Sequence, residues 1–452
     1  MMKKGYPFVK LFFLCIVFNA LMPFSAFSQS IEISSSPNPV GSGARSIAMG
    51  SAFIAIADDA TAASWNPGGL VQLEKPEFSI VASTFHLKED NSFGIHPESS
   101  GKQSVSDANI NYVSFVYPIN FIDRNMVFSI NYQHLYDLKR EWDFHLNLES
   151  ADNKSFSVIH CDNSGALSAL GLAWGIQFSP NFSFGLTLNI WDNWPGKNQW
   201  SEKQQEKEHG IDIDIDSPDD NQKYENNYAL TNHFDFNGVN LNIGFLWEIS
   251  NNLKLGAVFK SPFRANLSHE THLEDIRIYK YDDYPDDIVP YSVSEQTDEK
   301  LDMPMSYGLG IAYAYAKNLR FSMDIHRTHW NDFVLHKDNG VELCPLNGQP
   351  TDRVNIKPTH QVRMGMEYNI IKPAYVTSIR SGLFYDPALA QGNPDDYYGF
   401  SLGSGIKFER FSVDASYQFR FGNDVGDTLL KQYEFSQDIQ EHTFLMSLIY
   451  YL

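Results

Sequence analysis

Cysteine, basic charge and long apolar runs are all scarce in this chain. Only 3 of the 452 residues are cysteine, and 34 Lys and Arg stand against 55 Asp and Glu, for a formal net charge of -21 at pH 7. This acidic balance argues against nucleic acid as a partner. Beyond residue 28, no uninterrupted apolar stretch approaches the roughly 20 residues that a membrane-spanning helix needs. A membrane location would therefore have to rest on β-strands.

The first 28 residues have the pattern of a secretory signal peptide. Lys3, Lys4 and Lys10 precede an apolar run over residues 11–22, and small residues follow at positions 26 and 28. The run is too short for a stable membrane span. Cleavage would leave two cysteines, Cys161 and Cys344. Because a secreted chain meets an oxidising compartment, a disulfide between them stays open.

What the chain has in abundance is a two-residue alternation of apolar and polar side chains. In residues 411–422, apolar side chains alternate with Ser412, Asp414, Ser416 and Arg420. This period places the two sets on opposite faces of a strand. Segments of about ten residues with this pattern are typical of transmembrane β-barrels. We predict fourteen, over residues 78–87, 110–118, 125–136, 167–178, 181–192, 237–248, 252–261, 303–315, 318–327, 359–370, 375–386, 397–408, 411–422 and 442–452.

The connections between these segments are short and long in turn. Even-stranded outer-membrane barrels show this asymmetry, with short periplasmic turns and long extracellular loops. The sequence therefore predicts an all-β fold, a 14-stranded antiparallel transmembrane β-barrel over residues 78–452, in the outer membrane of a Gram-negative bacterium. A large soluble β-sandwich would also explain the aromatic content, but the Gly, Ser and Asn of the polar faces favour the barrel. The tight connections are 120–124, 179–180, 250–251, 317–318, 371–373 and 409–410, and the longest are 193–236, 262–302 and 328–358.

The last predicted strand ends the chain with alternating apolar residues. Phe444, Met446, Leu448 and Tyr450 share one face with the terminal Leu452. The pattern resembles the signal by which the outer-membrane assembly machinery recognises barrels, although that signal usually ends in Phe or Trp. The resemblance implies this machinery as a partner.

Residues 29–77 do not alternate and are rich in small side chains. Asp58 or Asp59 is placed to cap a short helix, which must end before Pro67 because proline disfavours helical geometry at the residue preceding it. Gly68 and Gly69 then permit a tight reversal into the first strand. We predict that this segment forms a compact N-terminal hatch that plugs the barrel lumen.

Two stretches of this segment resemble the hatch of the FadL/TodX family of outer-membrane transporters. They are residues 43–53, GARSIAMGSAF, and residues 57–70, ADDATAASWNPGGL. The hatch of that family bears an Asn-Pro-Ala motif, in which Asn66 and Pro67 match and Gly68 departs. The candidate hatch residues are Arg45, Asp58, Asp59, Asn66, Pro67 and Gly68.

Members of this family are fourteen-stranded barrels that carry long-chain fatty acids or aromatic hydrocarbons across the outer membrane. The resemblance implies passive uptake of a hydrophobic small molecule by a monomer that contacts outer-membrane lipid and lipopolysaccharide. It also implies lateral release near an inward kink of the third strand, although residues 125–136 contain no glycine or proline to fix one. Two other functions stay open: an accessory or anchor of a protein secretion system, and a general porin.

Extending the alternation places five cations and three acids on the inner face of the barrel. A cation in a pocket of low dielectric can hold a fatty-acid carboxylate, and Arg380, Arg363 and Lys407 are the candidate ligand contacts. Alternatively the charges pair across strands, as Asp324 would with Arg363, and hold the hatch to the wall. The full set is Arg320, Arg363, Arg380, Lys407 and Arg420 with Asp324, Glu367 and Asp414.

Motifs for catalysis, cofactors and metals are missing from the sequence. The pair His326 and His329 and the pair His269 and His272 lack a third ligand at metal spacing. No serine lies in a nucleophile elbow. We therefore expect no enzymatic activity, no cofactor and no metal.

Overall fold

The computed structural model describes residues 41–121, 124–194, 196–213, 221–282, 284–427, 430 and 433–452. The predicted signal peptide, 1–28, and residues 29–40 lie outside the described residues. The short helices are α1 (Ala44–Ala48), α2 (Ala62–Trp65) and 3-10 turns at Pro67–Gln72, Pro97–Ser99, Trp330–Asp332 and Thr351–Arg353. The strands are β1 (Glu77–Phe93), β2 (Gly101–Phe121), β3 (Arg124–Asp137), β4 (Arg140–Glu149), β5 (Asn153–Ser179), β6 (Phe182–Trp191), β7 (Asn198–Asp212), β8 (Gln222–Ser250), β9 (Leu253–Lys260), β10 (Phe263–Lys280), β11 (Asp287–Met303), β12 (Ser306–Ala316), β13 (Leu319–Thr328), β14 (Val334–His336), β15 (Glu342–Leu343), β16 (Thr359–Ile371), β17 (Val376–Tyr385), β18 (Tyr398–Lys407), β19 (Phe411–Val425) and β20 (Phe435–Tyr451).

Within the described residues, fourteen strands form one closed antiparallel barrel. In order around the barrel they are β1, β2, β3, β5, β6, β8, β9, β12, β13, β16, β17, β18, β19 and β20. The barrel closes where β20 pairs with β1, from Tyr451 opposite Glu77 to Phe435 opposite Phe93. Each predicted segment corresponds to one of these strands, so the 14-stranded antiparallel barrel is confirmed.

Six further strands lie in connections that the sequence suggested were long loops. Four of them, β4, β7, β10 and β11, form a sheet that is built on β5 and β8, which have 27 and 29 residues. The N-terminal half of β5 pairs with β4 and β7, and that of β8 pairs with β7 and β10. We call β4, β7, β10, β11 and these halves of β5 and β8 the distal sheet. The end of the barrel that carries this sheet is the upper end, and the chain enters and leaves the barrel wall at the lower end.

Two-residue alternation could not reveal β7 because both of its faces are polar. Its residues NQWSEKQQEKEHGID offer few apolar positions to mark a buried face. Pairing with the long strands on either side, rather than hydrophobic periodicity, makes this segment a strand. The strand boundaries of the distal sheet were therefore not predicted.

The barrel wall has an apolar outer face and a polar inner face. On β20 the outward Met446 is 62% exposed, while the neighbouring Ser447 is 5% exposed. On β19 the inward Ser412, Asp414 and Ser416 are all buried. Exposed apolar side chains on the other barrel strands form a belt suited to lipid. No helix in the described part of the chain is long and apolar enough to span a membrane.

Both described cysteines are free. Cys161 packs against the apolar cluster of Phe93, Trp142 and Phe144, where β1 and the distal sheet meet. Cys344 is buried beyond β15, and burial raises the pKa of its thiol. The disulfide that the sequence left open is therefore not formed.

Residues 41–73 lie inside the barrel and contact its wall almost all the way round. Glycines on the inner face let the backbones touch: a Cβ at Gly382 would lie 2.0 Å from the nitrogen of Gly50, and one at Gly185 would lie 2.2 Å from the carbonyl carbon of Pro67. Since side chains here would collide with residues 41–73, the wall is shaped around that segment. These wall glycines are Gly175, Gly185, Gly244, Gly256, Gly310, Gly365, Gly382 and Gly403.

The local structure before β1 differs from the prediction in two details. The helix α2 begins after Thr61 without a side-chain cap, and Asp59 instead accepts hydrogen bonds from the Thr61 nitrogen at 2.9 Å and its hydroxyl at 2.6 Å. Gly68 lies in the 3-10 turn Pro67–Gln72 rather than in a chain reversal. Glycine is needed there because a Cβ would lie 2.9 Å from the carbonyl oxygen of Gly244.

Candidate functional site

Asn66 is the central hydrogen-bonding residue of the segment inside the barrel. Its side chain is fully buried, and Nδ2 donates to the carbonyl oxygens of Ile54 at 2.8 Å and Phe245 at 2.9 Å. Its Oδ1 accepts the N–H of Gly68 at 3.0 Å. One side chain thus joins two parts of the segment to strand β8. Pro67 follows it at the start of the 3-10 turn, where a missing N–H costs nothing.

Asp324 on β13 anchors the other side of the segment. Its Oδ2 accepts the backbone N–H groups of Phe53 at 2.6 Å and Ile54 at 2.8 Å. Arg363 stands opposite Asp324 in the β13–β16 register, as expected for a cross-strand pair. The guanidinium of Arg363 is instead 3.5 Å from Asp386. The Asp324 carboxylate therefore satisfies backbone donors rather than holding Arg363.

Arg45 on α1 carries the charged link between the segment and the wall. It donates to Glu367 on β16 through Nε at 2.9 Å and Nη2 at 3.2 Å, and it contacts Asp58. Arg380 on β17 continues the chain of ion pairs, with Nε 2.7 Å from Glu367 and Nη1 2.6 Å from Asp414. We call this set the lower ion network; its members are Arg45, Asp58, Asp59, Arg320, Glu367, Arg380 and Asp414.

The lower ion network affects the pKa values of Asp58 and Asp59 differently. Burial alone would raise the pKa of Asp58, but Arg45 and Arg320, whose Nη1 is 3.1 Å from Asp58, lower that pKa to about 2. Burial raises the pKa of Asp59, and the 3.4 Å contact with Arg45 only partly offsets it. Asp58 is thus the charged partner within the segment.

An upper cavity lies between α1 and the distal sheet. It holds about 1030 Å³ of space, open solvent at its mouth included. Phe85, Leu87, Phe384 and Leu445 supply apolar wall. Its cations and acids come from the upper ends of the barrel strands and the connections beyond them; those used below are Lys139, Arg140, Arg363, Asp386, Arg420 and Glu441.

A lower cavity lies on the other side of α1 and is lined by the lower ion network. It holds about 750 Å³, again with open solvent included. Lys407 lies at this cavity, with its ammonium 4.8 Å from the centre of the Tyr451 ring. The three candidate ligand contacts are therefore divided: Arg363 lines the upper cavity, whereas Arg380 and Lys407 line the lower one.

The wall has a local irregularity beside the upper cavity. The β2–β3 ladder ends at the pair Tyr112 and Gln133, and β3 bulges at Leu135, where its register with β5 shifts. A bulge can bend a strand that contains no glycine or proline. Above the last pair, the side chain of Asn109 donates to Asp137 at 2.8 Å across the two strands.

Sequence reasoning missed three acids that govern the upper cavity. Glu89 and Glu441 lie just beyond the predicted ends of the first and last strands, on the inward parity. Continuing the alternation past those ends would have found them. Asp386 is the last residue of the predicted segment 375–386 and shares the inward parity of Arg380, so the alternation within that segment already placed it on the inner face.

One group of possible metal ligands occurs among the described residues, on the outer face of the distal sheet. It consists of Glu141, Asp143 and His160, two of them exposed. His160 Nδ1 already bonds an Asp143 oxygen at 2.8 Å. The pair is adequately explained as a surface hydrogen bond.

This chain forms a closed barrel with an apolar outer belt, a polar inner face and an N-terminal segment in its lumen. These are the features of an outer-membrane β-barrel. The chain belongs to the family described as outer membrane protein transport protein (OMPP1/FadL/TodX), whose model matches residues 38–442. This membership and the barrel fold imply a Gram-negative outer-membrane location.

Solved structures share this fold at low sequence identity. A Pseudomonas aeruginosa FadL homologue is 15% identical, with 89% of this chain and 96% of that chain covered and a TM-score of 0.57. The Pseudomonas putida toluene transporter TodX is 13% identical, with 91% and 98% covered and a TM-score of 0.52. The Ralstonia pickettii toluene transporter TbuX is 11% identical, with 91% and 98% covered and a TM-score of 0.51. No curated protein matches the chain.

Proposed function

We propose that this protein is a passive outer-membrane channel for a hydrophobic small molecule that carries a carboxylate, with a long-chain fatty acid as the leading candidate. The observation that carries the proposal is the upper cavity, where two guanidinium groups stand beside an apolar wall. An amphiphile of this class would place its tail against Phe85, Leu87 and Phe384 and its head at Arg363 and Arg420. Channels of this family carry hydrophobic compounds. A carboxylate head distinguishes the ligand proposed here from neutral hydrophobic compounds.

The ion pairs of Arg363 and Arg420 are long compared with those of the lower ion network. Arg363 is 3.5 Å and Arg420 3.4 Å from Asp386, whereas Arg380 lies 2.6 and 2.7 Å from its acids. The Nε of Arg420 is buried and has no hydrogen-bond partner among the described residues. Charge-assisted bonds to a carboxylate prefer about 2.7–2.9 Å. The upper guanidinium groups therefore retain donor capacity for a ligand.

Residues 29–77 act as the hatch in this proposal, and residues 1–28 as a signal peptide that is removed. The contacts of residues 41–73 with the wall glycines and with Asn66 support a closed resting state. A ligand in the upper cavity would leave sideways, where the β2–β3 ladder ends beside the bulge at Leu135. Only the Asn109–Asp137 bond among the contacts described above spans that place.

Neutral aromatic hydrocarbons are the alternative ligand class. Two structural neighbours are toluene transporters, and an apolar wall with Phe85 and Phe384 also suits a neutral ring. Such a ligand would gain nothing from Arg363 or Arg420, so charge-neutralising variants separate the two classes. Growth on a long-chain fatty acid after gene deletion separates uptake from a secretion-accessory role.

The first prediction concerns the two guanidinium groups. Arg363→Gln and Arg420→Gln should each weaken oleate binding by about tenfold, because each removes a charge-assisted donor from a shielded site. The measurement is equilibrium binding to the purified barrel in lipid nanodiscs, with empty nanodiscs as the blank. Arg353→Gln, at an exposed arginine of the connection before β16, is the matched control. Unchanged oleate binding in both variants would contradict the carboxylate site. Unchanged toluene binding would not contradict it, because a neutral ligand gains nothing from either arginine.

A further inference from the structure

Asp386 lies between the two arginines that the proposed function assigns to the ligand head. Its side chain is buried, at 6% exposure, in the upper cavity. One carboxylate oxygen is 3.5 Å from Arg363 and the other is 3.4 Å from Arg420. Gln361 holds the same carboxylate through an Nε2 donor at 2.5 Å. Asp386 thus occupies the position that a bound carboxylate would take.

The four cations at this place already have acids as partners, and the buried Asp137 is a further acid in the cavity lining. Lys139 and Arg140 also line the cavity, but Asp162 at 2.6 Å and Glu89 at 2.7 Å neutralise them. Arg363 and Arg420 remain, with Asp386 and Glu441 as their acids. Arg420 is 3.5 Å from Glu441. A ligand carboxylate would add a negative charge to a buried set whose cations already have acidic partners, which is costly unless one acid withdraws.

Among the described residues, Asp386 contacts both arginines, whereas Glu441 contacts Arg420. Glu441 lies within β20, paired on both sides with β1 and β19. Asp386 begins the connection between β17 and β18. Its backbone N–H donates a hydrogen bond to the carbonyl oxygen of Tyr397 at 2.9 Å. Its side chain can rotate away from the arginines while that backbone bond stays intact.

We propose that Asp386 is a built-in counter-ion that the ligand carboxylate displaces, and that it sets the channel's preference between charged and neutral ligands. In the empty protein, Asp386 compensates Arg363 and Arg420. A carboxylate ligand must compete with it, whereas a neutral ligand of the same shape need not. This inference rests on the proposed function, since it assigns a competitor to the site that the proposal defines.

The test compares oleate with oleyl alcohol, which has the same tail and no charge. Both are bound at equilibrium to wild type, Asp386→Asn and the control Glu409→Gln in lipid nanodiscs. Glu409 is exposed in the tight turn between β18 and β19, so its variant makes the same charge change far from the cavity. Asp386→Asn should tighten oleate binding by about tenfold and leave oleyl alcohol within about twofold. Glu409→Gln should change neither.

A second variant guards against a folding defect in Asp386→Asn. Gln361→Leu removes the donor that holds Asp386 in place and should tighten oleate binding in the same direction by a smaller factor. Barrel integrity is checked by the gel shift of unheated samples in SDS. Weaker or unchanged oleate binding in folded Asp386→Asn would overturn the inference and show that Asp386 positions the arginines. If Arg363→Gln and Arg420→Gln also bind oleate normally, the proposed function itself fails, which is a different result.

Discussion

Arg45 shows how much of the contact between the N-terminal segment and the barrel wall depends on a single side chain. One guanidinium joins α1 to Asp58 within its own segment and to Glu367 on the barrel wall. Glu367 is shared with Arg380, which also holds Asp414. Removing one member would leave other buried charges uncompensated. The network therefore couples the N-terminal segment to four wall strands, β13, β16, β17 and β19.

A pH prediction follows for Asp58. Its pKa in the folded protein is about 2, below the ordinary value of 3.8, so its ion pairs contribute stability that is fully present above pH 3.8 and is lost as pH falls through 2. Asp58→Asn removes this contribution at every pH. In planar bilayers we expect Asp58→Asn to open more often than wild type by a constant factor above about pH 4, with the two converging near pH 2. A factor that persists unchanged to pH 2 would contradict the assignment.

Among the site residues, sequence alternation could place Arg363, Arg380 and Lys407 on the inner face but could not order them by height relative to α1. Their division between an upper and a lower cavity depends on where α1 lies across the lumen. The same alternation places Asp386 on the inner face at the end of the predicted segment 375–386, but its contacts with Arg363 and Arg420 come from the convergence of β16, β17 and β19 on one point. The partner of Asp324 likewise changed, since the backbone donors of Phe53 and Ile54 lie nearer than Arg363.

The barrel strands and residues 41–73 pack closely together because the strands carry glycine at the points of contact. The wall glycines bring the backbone of residues 41–73 against the barrel strands, and several stand opposite each other in register, as Gly175 with Gly185 and Gly185 with Gly244 do. A ring of glycines in strands is intrinsically unfavourable. Its presence at one level of the barrel is explained by the close approach of the segment.

The element-scale prediction uses one of these glycines. Gly382→Ala would put a Cβ 2.0 Å from the Gly50 nitrogen, a clash that should cost roughly 1–3 kcal/mol of docking free energy. We expect a higher frequency of conducting openings in planar bilayers, with normal barrel integrity on SDS gels. Gly101→Ala on β2, where a Cβ would meet nothing within 4 Å, is the matched control. Equal openings in the two variants would show that residues 41–73 tolerate displacement at Gly50.

The whole molecule is a closed barrel whose pairing does not involve the segment inside it. The ladder from β1 to β20 completes the ring through backbone hydrogen bonds, while residues 41–73 meet the wall through side chains and close packing. The two parts should therefore be separable. The distal sheet is likewise built on β5 and β8 without needing residues 41–73.

Deleting residues 29–73 tests this separability. The barrel should still form and resist unheated SDS, because every inter-strand ladder remains. The lumen should become a persistent conducting pore, because the buried inner face then meets water. The measurement is single-channel recording of the deletion variant beside the full-length mature chain. Loss of the SDS-resistant form would mean that the segment is needed to fold the barrel, and low conductance would mean that other residues close it.

The amino-acid sequence by itself determined the fourteen wall strands, their inward and outward faces and the segment that precedes them. Two-residue periodicity is a local property, and lipid on one side with a polar interior on the other imposes it on every strand. Tertiary structure alone decided the distal sheet, whose polar strands exist because they pair with β5 and β8. It also decided which charges meet: Asp386 joins Arg363 and Arg420, and Glu367 joins Arg45 and Arg380, because barrel curvature and the position of α1 set distances that no spacing along the chain records.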